Sequence, residues 1–232
     1  MERKKYKWIL FDADNTLFDF THSQRKALEA VMKKEGYEFD DEIFNTFQRI
    51  NTEIWTDYDD NKITHEEIKT LRFKRFFDAL GLKIPDLVET NKLFIAKLIE
   101  NSKLFDGVED ILRQLHGKVK MAIITNGMKE VQRPRFEQCK HKDLFDAIFI
   151  SGELGLSKPN YEYFEHVHKN TGSGDKKDYL VIGDNVIADI MGAKRYGFDT
   201  CWYNPAGMEA PESAYADYII DDLKAIKDII SI

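Results

Sequence analysis

Short apolar runs and helical patterns take turns along most of this sequence, and that alternation sets its architecture. The apolar runs lie at Trp8–Phe11, Val119–Ile124, Ala147–Ile150, Tyr179–Ile182, Thr200–Tyr203 and Asp217–Ile220. Each has strand length, and most are rich in Ile, Val or aromatic residues, the texture of strands buried on both faces of a parallel sheet. Helical patterns separate them at Val108–Leu115, Tyr161–Lys169, Ala188–Tyr196 and Leu223–Ile230. Strands alternating with helices predict an α/β fold, a Rossmann-like parallel sheet with helices on both faces.

Residues 18–104 break the rhythm. They hold no convincing strand and at least four helical patterns. Thr21 with Gln24 and Thr64 with Glu67 resemble capping boxes, Gly36 and Gly81 close two of the runs, and Pro85 suits the first turn of another. Ile43, Phe47, Ile50, Ile54 and Tyr58 recur at spacings of three and four. The expected organisation is therefore a core of residues 1–17 and 105–232, with an all-helical cap of residues 18–104 inserted after the first strand. A segment near Lys129–Cys139 also reads as helical, although Pro134 requires it to start late or to kink.

Bulk properties narrow the partners. A formal net charge of −7 argues against a nucleic acid polymer, which demands a basic face, but leaves room for a small anion. No run approaches the ~20 apolar residues of a membrane span. Two cysteines, Cys139 and Cys201, are too few and too far apart for a disulfide framework, so a reducing cytoplasm is the expected compartment. The sequence leaves the oligomeric state open. Asp57-x-Asp59-x-Asn61 suggests a calcium loop, but Lys62 and Ile68 stand where such a loop needs glycine and glutamate.

In open α/β sheets, ligands bind outside the carboxyl ends of the strands. The polar clusters there are Asp12-Ala13-Asp14-Asn15-Thr16, Thr125-Asn126-Gly127, Ser157-Lys158-Pro159, and Gly183-Asp184-Asn185 with Asp189. Each alone is a common turn or cap. All four in this order at strand ends are far more specific.

These residues resemble the haloacid-dehalogenase superfamily of phosphohydrolases over nearly the whole chain. Asp12-x-Asp14-x-Thr16 matches its first motif, Thr125 its second, Lys158 its third, and Gly183-Asp184 with Asp189 its fourth. The helical insertion matches its cap. The resemblance implies a phosphate-ester hydrolase with Asp12 as nucleophile and Asp14 as general acid and base. It implies Mg2+ held by Asp12, the Asp14 carbonyl and Asp184, with Asp189 touching the ion or its water. Thr16, Thr125, Asn126 and Lys158 are the expected phosphate-binding residues. Carboxylates gathered on one rim repel each other strongly, so electrostatics also calls for a cation. Asp14 favours phosphoryl transfer, because the 2-haloacid dehalogenase branch lacks an aspartate there.

Within the superfamily, Ile50-Asn51-Thr52-Glu53-Ile54-Trp55-Thr56-Asp57-Tyr58 and Leu71-Arg72-Phe73 resemble the pyrimidine nucleoside 5′-monophosphatase subgroup. Asn51 and Trp55 share a helix face, where an aromatic can stack on a base and an amide can read its edge. Trp55 can equally be cap core, Arg72 can pair with phosphate or sugar or lie at the surface, and Phe18 can wall the entrance or pack the hinge. The rivals are a phosphatase of phosphoglycolate or a sugar phosphate, a dehalogenase, and a non-enzymatic receiver in which Asp12 accepts phosphate as a signal.

Overall fold

A computed structural model gives the fold, and it describes residues 3–59, 62–209 and 216–231. The chain enters through β1 (Trp8–Phe11) and continues into four helices: α1 (Phe20–Lys34), α2 (Asp41–Asp59), α3 (His65–Ala79) and α4 (Leu87–Glu100). It then runs through α5 (Val108–Leu115), β2 (Lys120–Thr125), α6 (Lys129–Gln138), β3 (Ala147–Ile150), α7 (Ser151–Leu154) and α8 (Tyr161–Asn170). β4 (Tyr179–Gly183), α9 (Gly192–Tyr196), β5 (Asp199–Tyr203) and β6 (Tyr218–Ile220) complete the sheet.

Among the described residues six strands form one all-parallel sheet, in the order β3-β2-β1-β4-β5-β6. This is the doubly wound order, and the direction of winding reverses around β1, which opens a crevice at the carboxyl ends of the strands there. Strand alternation explains why both faces are apolar. Ile9, Phe11, Met121, Ile123, Leu180 and Ile182 join one core with Ile111, Leu112 and Leu115 of α5. Leu10, Ala122, Ile124 and Val181 point the other way, into a second core with Tyr163, Phe164 and Val167 of α8. Cys201 lies in the first of these cores, where burial pushes its thiol up to about 12.

The chain divides into two compact units, Met1–Asp19 with Lys103–Ile232 and Phe20–Ser102. Each boundary lies two residues from the expected one, for a local reason. The two linkers pair with each other inside the first unit: Asp19 N donates to Lys103 O at 3.0 Å, and Phe105 N to Leu17 O at 2.9 Å. Among the described residues the second unit is all helical. Its core is aromatic, with edge-to-face contacts of Phe47 with Phe76 at 5.3 Å and Phe73 with Phe94 at 5.2 Å.

Local signals fared unevenly. Thr64 and Glu67 form the expected reciprocal capping box at the start of α3. Thr21 lies inside α1, which already begins at Phe20, one residue ahead of the expected cap. Pro85 precedes α4 instead of opening it, because Asp86 is the N-cap and its carboxylate accepts from Val88 N and Glu89 N. Pro134 sits inside α6, which begins at Lys129, so a late start is excluded. Of the rejected calcium loop, Asp57 lies in α2 paired with Arg75 at 2.8 Å, and Asn61 falls outside the described residues.

Candidate active site

β1 carries Asp12 to the crevice, and the strand pairing continues one residue further, with Asp12 N donating to Ile182 O at 2.8 Å. The chain then turns back tightly. Leu17 N and Phe18 N both donate to Ala13 O, and Asn15 adopts φ 64°, a left-handed conformation that asparagine tolerates better than most residues. β4 ends at Gly183 and delivers Asp184. Asp189 follows on a wide π-type turn, Val186–Met191, capped by the Asn185 side chain, and such turns cluster at functional sites. Gly183 is required here, since a Cβ on it would lie 2.2 Å from Asp189 Oδ2.

Lys158 ties these elements together. Its ammonium, 2% exposed, donates to Asp12 Oδ1 at 2.6 Å, to Asp189 Oδ1 at 2.6 Å and to Ile124 O at 2.9 Å. Burial works against that charge, but Asp12 and Asp189 outweigh it and push the lysine pKa up. Carboxylate oxygens of Asp12, Asp184 and Asp189 all lie within 4.8 Å of one another. Burial, and then the nearby Asp189 and Asp184 charges, hold the Asp12 carboxyl well above the usual range despite Lys158. Asp184 is pushed up to about 7 by burial and by Asp189, with the Thr16 hydrogen bond opposing the rise.

Three carboxylates against one ammonium is a donor set with an excess of negative charge and hard oxygen ligands. It fits a divalent cation such as Mg2+ or Ca2+ far better than a soft metal. Asp189 already accepts from Lys158 on one oxygen and from Asn185 N on the other, at 3.0 Å. Asp12 and Asp184 are therefore the better placed as direct ligands.

The remaining core residues support these. Thr16 Oγ1 donates to Asp184 Oδ1 and accepts from Asp184 N, both at 3.1 Å. Asn126 brackets the main chain of Lys158, donating to its carbonyl at 2.7 Å and accepting from its amide at 2.9 Å. Both side chains are thus engaged in placing Asp184 and Lys158. Thr125, at the tip of β2 and 1% exposed, accepts from Gly127 N at 3.1 Å. Trp202 on β5 donates to Asp184 O at 3.0 Å. Phe18 is 3% exposed and packs edge-to-face on Phe136 at 5.6 Å.

Asp14 has partners that the motifs did not announce. Gln132 Nε2 donates to its Oδ2 at 2.7 Å, and Arg135 Nη1 to its Oδ1 at 2.5 Å. Both residues come from α6. The readable signal was a glutamine and an arginine three apart, on one face of a helix that directly follows a strand-end Thr-Asn-Gly.

In the helical unit, Arg72 is 4% exposed and donates to Asn51 Oδ1 at 3.3 Å and to Asn91 Oδ1 at 3.2 Å. Its guanidinium lies over Phe94 at 4.6 Å and Phe73 at 5.1 Å. Among the described residues no carboxylate pairs with it, and burial lowers its pKa to about 10. Trp55 is partly exposed and meets Tyr58 and His65 edge-to-face, while those two rings stack at 4.2 Å.

With this geometry in place, comparison with known proteins is decisive. A family model described as haloacid dehalogenase-like hydrolase matches residues 9–203. The chain belongs to that family. Among its haloacid dehalogenase-like relatives is the pyrimidine 5′-nucleotidase YjjG of Escherichia coli, 31% identical over 97% of this chain and 98% of its own. The pyrimidine 5′-nucleotidase PynA of Streptococcus pneumoniae is 29% identical over 97% of this chain and 95% of its own. The crystal structure of the HAD-hydrolase YfnB from Bacillus subtilis, bound to magnesium, superposes with a TM-score of 0.91 at 28% identity, covering 99% of this chain and 100% of that one. Within this family fold, no helix among the described residues is long and apolar enough to cross a membrane.

Proposed function

We propose that this chain is a magnesium-dependent phosphomonoesterase that works through a phosphorylated Asp12, with pyrimidine nucleoside 5′-monophosphates as substrates. One observation carries the chemistry: the Asp12 carboxylate, at the tip of the central strand, sits within 4.8 Å of Asp184 and Asp189 and is held by Lys158. The names of two relatives support the substrate class.

When bound, Mg2+ would be held by the Asp12 and Asp184 carboxylates and the Asp14 carbonyl, and would supply the positive charge an anionic ester needs beside a carboxylate. Lys158 fixes the direction of Asp12 through one oxygen, leaving the other to attack phosphorus. The phosphorus–oxygen bond to the leaving group breaks as Asp14 gives that oxygen a proton. Asp14 then takes a proton from the water that attacks the acyl-phosphate, releasing phosphate and restoring Asp12. Thr125 is positioned at the rim to hydrogen-bond a phosphoryl oxygen, with Thr16 and Asn126 holding Asp184 and Lys158 in place. Asn51, Trp55 and Arg72 are the proposed nucleotide-reading residues of the helical unit. The cytoplasm, where nucleoside monophosphates occur, completes the reading, and Cys139 and Cys201 are both free thiols.

The test is phosphate release from nucleoside monophosphates, sugar phosphates, phosphoglycolate and p-nitrophenyl phosphate, with Mg2+ and with EDTA. The expected result is steady turnover that EDTA stops, with the highest kcat/KM on pyrimidine nucleotides. Sugar phosphates or phosphoglycolate outranking every nucleotide would reject the substrate class, and a single burst without turnover would reject the enzyme in favour of a receiver.

A further inference from the structure

We infer that Arg135 and Gln132 are positioning residues for proton transfer, a two-point clamp that fixes the carboxylate of Asp14 toward the leaving group. The inference deepens the proposed phosphoryl transfer and rests on it. The three side chains close a ring. Arg135 Nη1 donates to Asp14 Oδ1, Gln132 Nε2 donates to Asp14 Oδ2, and Arg135 Nη2 donates to Gln132 Oε1. The ring also fixes the glutamine amide. With its oxygen and nitrogen exchanged, an acceptor would face the carboxylate and a donor would face the guanidinium, two repulsions in place of two hydrogen bonds.

The surroundings show that the clamp is built. Gln132 is 1% exposed and Arg135 4%, positions at which polar side chains are costly unless paired. Among the described residues, Asp14 is the carboxylate that pairs with Arg135. The guanidinium lies over Phe18 at 4.3 Å and over Phe136 at 5.2 Å, two rings that meet edge-to-face, and this packing limits its freedom to swing away. Gly127 makes the room: a Cβ there would lie 2.0 Å from Gln132 Nε2. The glycine of Thr125-Asn126-Gly127 thereby serves Asp14 as well as Thr125. Asp14 itself keeps 23% of its side chain exposed, open to an incoming ester. Both oxygens are held from the helix side, which sets the plane of the carboxyl group and leaves its outer edge for the proton it donates and later accepts.

The distinguishing measurement is kcat/KM across phosphomonoesters graded from nitrophenyl to alkyl leaving groups. This ratio reports the steps up to departure of the leaving group and excludes the later hydrolysis of the acyl-phosphate. An alkoxide needs the proton from Asp14, whereas a nitrophenolate leaves without it. Arg135→Ala is expected to lose roughly 100-fold on alkyl esters, within the range that general acids contribute, and under about fivefold on nitrophenyl esters. Arg135→Lys, which keeps the charge but loses the fork, is expected to fall between. In an Asp14→Asn background, adding Arg135→Ala is expected to cost nothing further on either class. A loss uniform across leaving groups, or an undiminished loss in the Asp14→Asn background, overturns the inference. Should Arg135→Ala not fold, as judged by circular dichroism, Gln132→Met carries the same test. Wild-type turnover that Asp12→Asn abolishes is the separate control on the reaction itself, so a failure of the chemistry and a failure of the clamp are told apart.

Discussion

Gathering three carboxylates at one strand edge makes the metal-free protein lose stability as pH rises, and this is testable without substrate. Asp184 titrates at about 7 in the folded chain against an ordinary 3.8. Between those values the folded state keeps a proton that the unfolded chain has given up. This contribution to stability is therefore complete below pH ~4, falls through the interval, and levels off above pH ~7. The slope is about 1.36 kcal/mol per pH unit per group and eases as pH nears 7, so moving from pH 5 to pH 7 costs about 2.3 kcal/mol from Asp184 alone. Asp12 is raised for the same reason, burial first, and acts in the same direction. The carboxylates held low, Asp57 and Asp199 by neighbouring cations and Glu67 by hydrogen bonds from Thr64, complete their contributions by about pH 5 and do not offset the fall between pH 5 and pH 7. At about 2–4 °C per kcal/mol for a chain of this size, the thermal midpoint in EDTA is expected to drop by roughly 5–10 °C between pH 5 and pH 7. Mg2+ at about 100 times its Kd returns about 2.7 kcal/mol and is expected to erase most of the slope. Scanning fluorimetry at fixed ionic strength, with EDTA and with Mg2+, provides the readout. A midpoint that is flat or rising across pH 5–7 in EDTA would refute the electrostatic account, and Asp189→Asn, which removes the largest neighbouring charge on Asp184, should flatten the curve.

Three further outcomes are expected. Asp12→Asn should abolish turnover of every phosphomonoester with an unchanged circular dichroism spectrum; retained activity would require another nucleophile. Trp55→Ala should raise KM for nucleotides while sparing p-nitrophenyl phosphate, and equal losses on both would assign it to packing of the helical unit. Arg72→Met should raise nucleotide KM about tenfold or more without lowering the thermal midpoint, because replacing a buried charge among Phe47, Phe73 and Phe94 by an apolar side chain is often neutral or stabilising. A midpoint several degrees lower would instead make the Asn51 and Asn91 hydrogen bonds structural.

The sheet was legible because burial on both faces forces a uniform apolar texture, and Ile9, Leu10 and Phe11 are each fully buried. Asp12, Lys158 and Asp184 were legible because strand ends turn a one-dimensional pattern into a shared rim. Partnerships were not. The clamp on Asp14 spans 118 and 121 positions, and nothing local in Gln132 or Arg135 points back to a turn after β1. Thr16 and Asn126 show the same limit: their motif positions were readable, but not that their side chains would be engaged by Asp184 and by the main chain of Lys158. Phe18 was ambiguous because an aromatic beside a turn has the same pattern whether it faces solvent or, as here, packs on Phe136. Helix starts slipped by a residue or two at Thr21 and Pro85, where a competing neighbour such as Asp86 took the capping role.

The zipped linkers make the helical insert a cassette. Because the chain leaves the first unit after Asp19 and returns at Lys103 through two linker segments that hydrogen-bond to each other, the gap left by excising the insert is only as wide as one backbone pairing. A hairpin turn could bridge it without shifting the register of β1 or the address of Asp12. Selection can thus exchange what lies between those two points without disturbing the strand end that carries Asp12.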